Sequence, residues 1–425
     1  MAVAPSSPIP RWLPWCMWGL GALFFFYGFF QRFAPSVMTD PLQREFALDG
    51  AAVGNLSAFY FYAYAGMQVP IGLIVERFGP RRLLTFGALV CAAATAGFAL
   101  AESAWLATLC RFLVGFGASF SFVCAITLAA RWFPPQRFAQ FVGLTMMAGM
   151  VGGLLAQGPL GLAVEAFGWR SSLLATAGVG LALAAALWLV VRDWPSGSPH
   201  AEARHESWAG LVPALGRVLT RAQNLLLCLV SAAMTAPMLS FAGLWGVAWL
   251  MQTKGYSRPE AGATASILLF GWAVGSPIAG WLSDRLGRRK PVLQAGCLLA
   301  LLALLPILYL ADPPRLLLWT SFALTGAAGG AMSVAFALAR SANPASDTSA
   351  AFGFLNGAVV ASGAVFQPLI GFLLDRGWDG REEAGVRLYS AATYEAALSS
   401  LVAFLGLALA LSLFLREPRA VKSEP

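Results

Sequence analysis

The sequence predicts an all-α membrane protein of twelve transmembrane helices, built as two pseudo-repeated six-helix halves with both termini in the cytoplasm. Three observations predict it. Of the 425 residues, 58% are hydrophobic and 11% charged, against roughly 25% charged in a soluble domain. A surface that poor in charge must be covered by lipid. The apolar residues also fall into stretches near the ~20 residues needed to cross a bilayer. Finally, two blocks of sequence recur at nearly one offset.

The first span, 15–38, contains FFFYGFFQRFAPSVM (24–38), in which Arg32 is the one charge. Arg11 ahead of an apolar run invites a signal-peptide reading. No small-residue cleavage site follows and eleven further spans do, so the segment reads as a retained first helix. The second span, 53–75, carries Tyr60, Tyr64 and Gln68 at i, i+4 and i+8, one face of a helix. The third, 83–101, is featureless apart from its apolarity. The fourth, 104–129, holds a second intramembrane arginine, Arg111. The fifth, 138–163, has a glycine face of Gly143, Gly153 and Gly161 with Gln157. The sixth is 171–191.

Residues 192–222 form the longest polar stretch and hold both histidines, His200 and His205. This reads as a cytoplasmic linker with a weakly amphipathic piece near 207–220 that suits the membrane interface. The domains expected are therefore 1–191, the linker 192–222, and 223–425. In the second half the spans are 224–251, with Trp245 and Trp249 at i, i+4, then 263–283, 291–310, 315–339, 349–374 and 392–415. The eleventh carries Asn356 and Gln367, three turns apart.

Charge placement fixes the orientation. With both ends inside, Lys and Arg number 18 on the inner side, 8 on the outer side and 2 within spans, the bias of the positive-inside rule. The net charge of +8 is thereby explained without nucleic acid. The six cysteines all fall in apolar segments without ligand spacing, so neither a disulfide framework nor a metal site is expected. No cofactor is implied, no phosphate-binding loop is present, and no nucleophile, base and orienter can be picked out, so an enzyme is not expected.

The repeat is the most specific signal. GLIVERFGPRR (72–82) follows the second span and GWLSDRLGRRK (280–290) the eighth, offset by 208 residues. Gly72 meets Gly280, Glu76 meets Asp284, Arg77 meets Arg285, Gly79 meets Gly287 and Arg81 meets Arg289. Gly143, Gly153, Gln157 and Gly161 recur 210 residues later as Gly353, Gly363, Gln367 and Gly371. Two homologous halves in one orientation are how a large class of transporters is built, with the substrate site between them near the midplane.

The doubled G-x-x-x-D/E-R-x-G-x-R-R pattern resembles the signature loop of the major facilitator superfamily. Arg111–Gly117 resembles that family's R-x-x-x-G-x-G element in the fourth helix. Glu76 stands where aspartate is usual and Pro80 where a basic residue is usual. The resemblance implies transport by alternating access. It also implies a gate on the inner side made of Gly72, Glu76, Arg77, Gly79, Arg81, Arg82 and of Gly280, Asp284, Arg285, Gly287, Arg288, Arg289. Glu76 would meet the N-terminus of the eleventh helix and Asp284 that of the fifth, a carboxylate at a helix N-terminus being favourable by about 0.3–1 kcal/mol. The arginines would pair with these acids.

An arginine at mid-membrane costs about 2.5–3.5 kcal/mol and faces a cavity or a partner. The segment R-F-A-P-S-V (32–37) resembles the R-x-x-x-S-V pattern of the anion:cation symporter branch, in which the arginine of the first helix contacts an anionic substrate. No Asp or Glu lies inside any span; Asp40, Asp375 and Glu395 sit at predicted ends. Arg32 and Arg111 therefore stand as unpaired cations in an expected water-filled cavity, suited to an anion. Tyr60, Tyr64, Gln68, Trp245, Asn356 and Gln367 are the candidates to line it.

The expected function is secondary active or facilitative transport of a small organic anion or carboxylate-bearing zwitterion. Drug, metabolite or siderophore efflux is the alternative, and a non-transporting sensor of carrier fold a third reading. Partners are the small-molecule substrate, the lipid bilayer, and a coupling ion (proton or sodium) or counter-substrate. A monomer in the bacterial inner membrane is expected.

Overall fold

The computed structural model describes residues 10–68, 70–134, 137–195, 208–344 and 347–417. Helix α1 (Leu13–Phe33) passes through a 3-10 turn (Ala34–Val37) into a short helix, α2 (Thr39–Phe46). Then come α3 (Gly50–Met67), α4 (Ile71–Phe78), α5 (Pro80–Ala99), α6 (Ala104–Trp132), α7 (Phe138–Phe167) and α8 (Trp169–Val190). The second half begins after α9 (Trp208–Leu219). Helix α10 (Ala222–Ala236) continues through a π-helical stretch, Pro237–Trp245, into α11 (Gly246–Lys254). It is followed by α12 (Arg258–Leu286), α13 (Lys290–Tyr309), α14 (Arg315–Gly330), α15 (Val334–Ala342), α16 (Thr348–Arg376) and α17 (Ala391–Ser412). A two-residue antiparallel hairpin, β1 (Glu382–Glu383) and β2 (Val386–Arg387), joins the last two helices.

Among the described residues, 11 helical segments are long and apolar enough to cross a membrane. The second expected span is not one of them. It is divided into α3, which ends at Met67, and α4, which begins at Ile71. Local chemistry sets several starts. Asp49 caps α3 by accepting from the Ala52 N–H at 2.8 Å, and Ser103 and Ser390 cap α6 and α17. Ser257 and Glu260 form a capping box on α12.

The bundle has two ends. The near end gathers the start of α1 and the end of α17: the Arg192 N–H donates to Met17 Sδ and Gln223 Nε2 to the Arg416 carbonyl. Here α9 is anchored by Arg217, whose Nε and Nη2 reach the buried Asp347 carboxylate at 3.1 and 2.7 Å. The histidines of the linker lie outside the described residues. At the far end, Arg170 pairs with Glu45 at 2.8 Å.

The halves meet through α3 on α16 and α7 on α12. These crossings are tight only toward the far end. A β-carbon on Gly262 would lie 2.6 Å from the Gln157 carbonyl oxygen, and one on Gly54 would strike the Gln367 carbonyl oxygen. Only glycine lets backbones approach so closely. At the near end, β-carbons on Gly72, Gly143 and Gly280 would meet nothing within 4 Å. The far ends are closed on one another and the near ends stand apart.

Candidate functional site

Arg32 sits in the last turn of α1 and is 4% exposed. Its guanidinium carbon lies 4.2 Å from the centre of the Phe29 ring, 4.6 Å from Tyr64, 5.4 Å from Tyr60 and 5.9 Å from Phe61. Phe29 is one turn back on the same helix, and Tyr60 and Tyr64 present one face of α3. Each ring attracts the cation by about 0.5–2 kcal/mol, more when water is excluded. No carboxylate joins this cluster among the described residues, and Arg32 Nε is buried without a hydrogen-bond partner. Four rings thus surround the Arg32 guanidinium.

Arg111, 2% exposed, also lies against Tyr60. Its guanidinium carbon is 5.2 Å from the centre of that ring, so two cations share one tyrosine. Its Nη1 donates to the Gln31 carbonyl at 2.9 Å, while Nε and Nη2 are buried without partners. The Tyr60 hydroxyl donates to the Gly28 carbonyl at 3.0 Å, which fixes the ring.

The other candidates form two further groups. Asn356 Nδ2 donates to Gln68 Oε1 at 2.6 Å, joining α16 to α3 across the halves. Trp245 and Gln367 meet each other: Trp245 Nε1 donates to the Gln367 carbonyl at 2.9 Å, and Gln367 Nε2 donates to the Leu239 carbonyl at 2.8 Å. Gln157 Nε2 holds the Ala242 carbonyl from the other half. Both glutamines thus bind carbonyls of the π-helical stretch.

The Glu76 side chain lies outside the described residues. Asp284 is exposed and takes part in no ion pair among the described residues, with open space at Gly280. Arg285 lies over its neighbour Trp281 and Arg77 over Phe78; Arg82 and Arg288 are exposed. Arg81 is committed elsewhere: its Nε and Nη2 donate to the Trp188 carbonyl at 3.0 and 2.6 Å, and its N–H to Asp193 at 2.8 Å. Arg289 Nη1 donates to the Ala337 carbonyl at 3.2 Å, and its N–H to Glu417. Arg289 is thus bound to Ala337 and Glu417 here and makes no ion pair with Asp284 among the described residues. Gly79 and Gly287 turn with φ of 78° and 61°, a conformation that favours glycine.

Sequence reasoning missed Asp193 and Glu417, acids that cap α5 and α13. The signal was an Arg-acid pair after the last helix of each half, Arg192–Asp193 and Arg416–Glu417. It also missed the far-end latch. Asp375 accepts from the Gly50 and Ala51 N–H groups at 2.9 and 2.6 Å, from Tyr389 at 2.7 Å and from Arg387 at 3.1 Å. Burial and this carboxylate push the Tyr389 hydroxyl well above its ordinary range. Nearby, Arg258 reaches the Val37 carbonyl and Asp40. Gly371 and Asp375 repeat the spacing of Gly280 and Asp284, which is the trace that could have found the latch.

The sequence pattern of the Major Facilitator Superfamily matches residues 20–248 and 236–425. The chain is 23% identical over 312 residues to a probable sulfoacetate transporter of Cupriavidus necator, covering 69% of the chain and 72% of that protein. It is 28% identical over 296 residues to an MFS-type efflux pump of Mycolicibacterium smegmatis, 65% of the chain and 64% of the relative. It is 25% identical over 307 residues to a probable galactarate/D-glucarate transporter of Bacillus subtilis, 62% and 65%. The fold resembles that of a bacterial homologue of the human lysosomal transporter Spinster, with a TM-score of 0.77 at 18% identity over 96% of the chain and 98% of the other.

Proposed function

The chain belongs to the major facilitator superfamily, and on that premise we propose that the solute it carries is a small organic anion recognised by Arg32. Its transmembrane transport of small solutes follows from the family. The observation that supports an anion is the Arg32 cluster: a guanidinium inside the bundle with rings around it and, among the described residues, no carboxylate beside it. A carboxylate or sulfonate supplies the missing charge and two acceptors for its planar fork of donors. The similarities to a probable sulfoacetate transporter and a probable galactarate/D-glucarate transporter agree with that chemistry. Tyr60 and Tyr64 form the aromatic wall. Gln68 and Asn356 close it between the halves, and Trp245 and Gln367 support it from the π-helical stretch.

The remaining expectations join this reading. The α3–α4 pair supplies a twelfth crossing, residues 1–191 and 223–425 act as two rocking halves about the linker, and the near end is cytoplasmic because it carries the excess of Arg and Lys. The structure then corresponds to a state open toward the cytoplasm of a bacterial inner membrane. Gly72, Glu76, Arg77, Gly79 and Gly280, Asp284, Arg285, Gly287 close that end in the opposite state. A monomer coupled to a proton, sodium or a counter-substrate completes the proposal. A second reading, export, draws on the similarity to the mycobacterial efflux pump. Transport in proteoliposomes tests both. Uptake of small carboxylates or sulfonates that is lost in Arg32→Gln is expected. Movement of cationic dyes with carboxylates ignored would favour export.

A further inference from the structure

Between α1, α5, α6 and α8 lies a cavity of about 10 Å³, about the room one water-sized sphere takes. Its polar lining is Arg111, Thr95 and Gln31. Phe98, Val114 and Leu173 form apolar wall, and all six residues are buried. The polar groups are rich in donors. Arg111 Nε and Nη2 and the Thr95 hydroxyl have no hydrogen-bond partner, and the Gln31 amide reaches Thr176 only at 3.4 Å. Arg111 adds a full positive charge, and among the described residues no acid pairs with it. Buried polar groups are normally partnered, and a buried charge without a counter-charge is strongly unfavourable.

We propose that this cavity is a second anion site, distinct from the one at Arg32, and that it holds one small inorganic anion of halide size. The unpartnered Arg111 and Thr95 donors, the charge of Arg111 and an apolar wall suit such an ion. A carboxylate-bearing cargo is too large for the volume. The bound anion would neutralise Arg111 and, through the ring that Arg111 shares with Arg32, steady Tyr60. This inference does not require the cargo of Arg32 to be an anion.

The test uses the full chain in nanodiscs, with chloride exchanged for gluconate at constant ionic strength. The thermal midpoint should rise with chloride and saturate. The rise should vanish in Arg111→Gln, and in Thr95→Val, which keeps the charge and the shape, it should need at least about tenfold more chloride, about 1.4 kcal/mol in affinity. Arg32→Gln should keep the rise. Crystals grown in bromide should show anomalous density between Arg111 and Thr95. Equal midpoints in both salts with no bromide density would mean that water completes these donors. A rise that is lost in Arg32→Gln and kept in Arg111→Gln would move the halide to the other cation. Either result overturns the proposal.

Discussion

At the scale of single residues, Arg32 carries the argument. Truncating one partner of a buried, hydrogen-bonded charge pair costs about 2–5 kcal/mol. Arg32→Gln is therefore expected to weaken uptake of an anionic solute at least about 30-fold while the protein still inserts, as checked by membrane fractionation beside the flux assay. Arg32→Lys should recover only part of it, because an ammonium lacks the planar fork. Arg32 was legible in the sequence because one charge in an apolar run needs a reason. Arg111 was legible as an oddity but not as a neighbour of Tyr60. Which face of α6 it occupies depends on packing against α1, α5 and α8, and no local pattern encodes that. Trp245 was read by helical spacing alone, and spacing cannot tell a cavity face from the contact with Gln367 that it makes.

Single helices and their ends behave as latches. Asp375 lies at the end of α16 and caps the start of α3, so its charge faces the positive end of that helix. Hydrogen bonds to a charged acceptor are worth about 1.5–3 kcal/mol. Asp375→Asn is expected to loosen the far end, seen as longer spin-label distances between the starts of α3 and α12. Unchanged distances would remove the latch. Glycine substitutions should separate the two ends. Gly54→Ala meets a backbone carbonyl at once and should lower thermal stability. Gly72→Ala meets nothing in this state, so its stability should be unchanged while turnover slows if that glycine is buried in the opposite state. Asp284→Asn should likewise lower the maximal rate more than it raises KM. Equal kinetics in variant and parent would deny Asp284 a part in gating. The long helices were legible from apolar runs. The short α2, the hairpin β1–β2 and the division between α3 and α4 were not, because each turns on a few residues that averaging over a span hides.

For the whole molecule, the doubled sequence blocks were the signal that pointed to a two-fold plan. What the repeat could not tell is the state. The same sequence must close at either end, and only the geometry distinguishes close backbone contact at Gly54 and Gly262 from open space at Gly72 and Gly280. We propose that a cation enclosed by rings of α1 and α3 takes its counter-charge from the cargo. The most direct test is equilibrium binding to purified protein of a carboxylate and of its neutral amide, in the parent and in Arg32→Gln. The account predicts that the parent prefers the carboxylate at least about 30-fold and that Arg32→Gln loses the preference. The same preference in both proteins, or none in the parent, would contradict it.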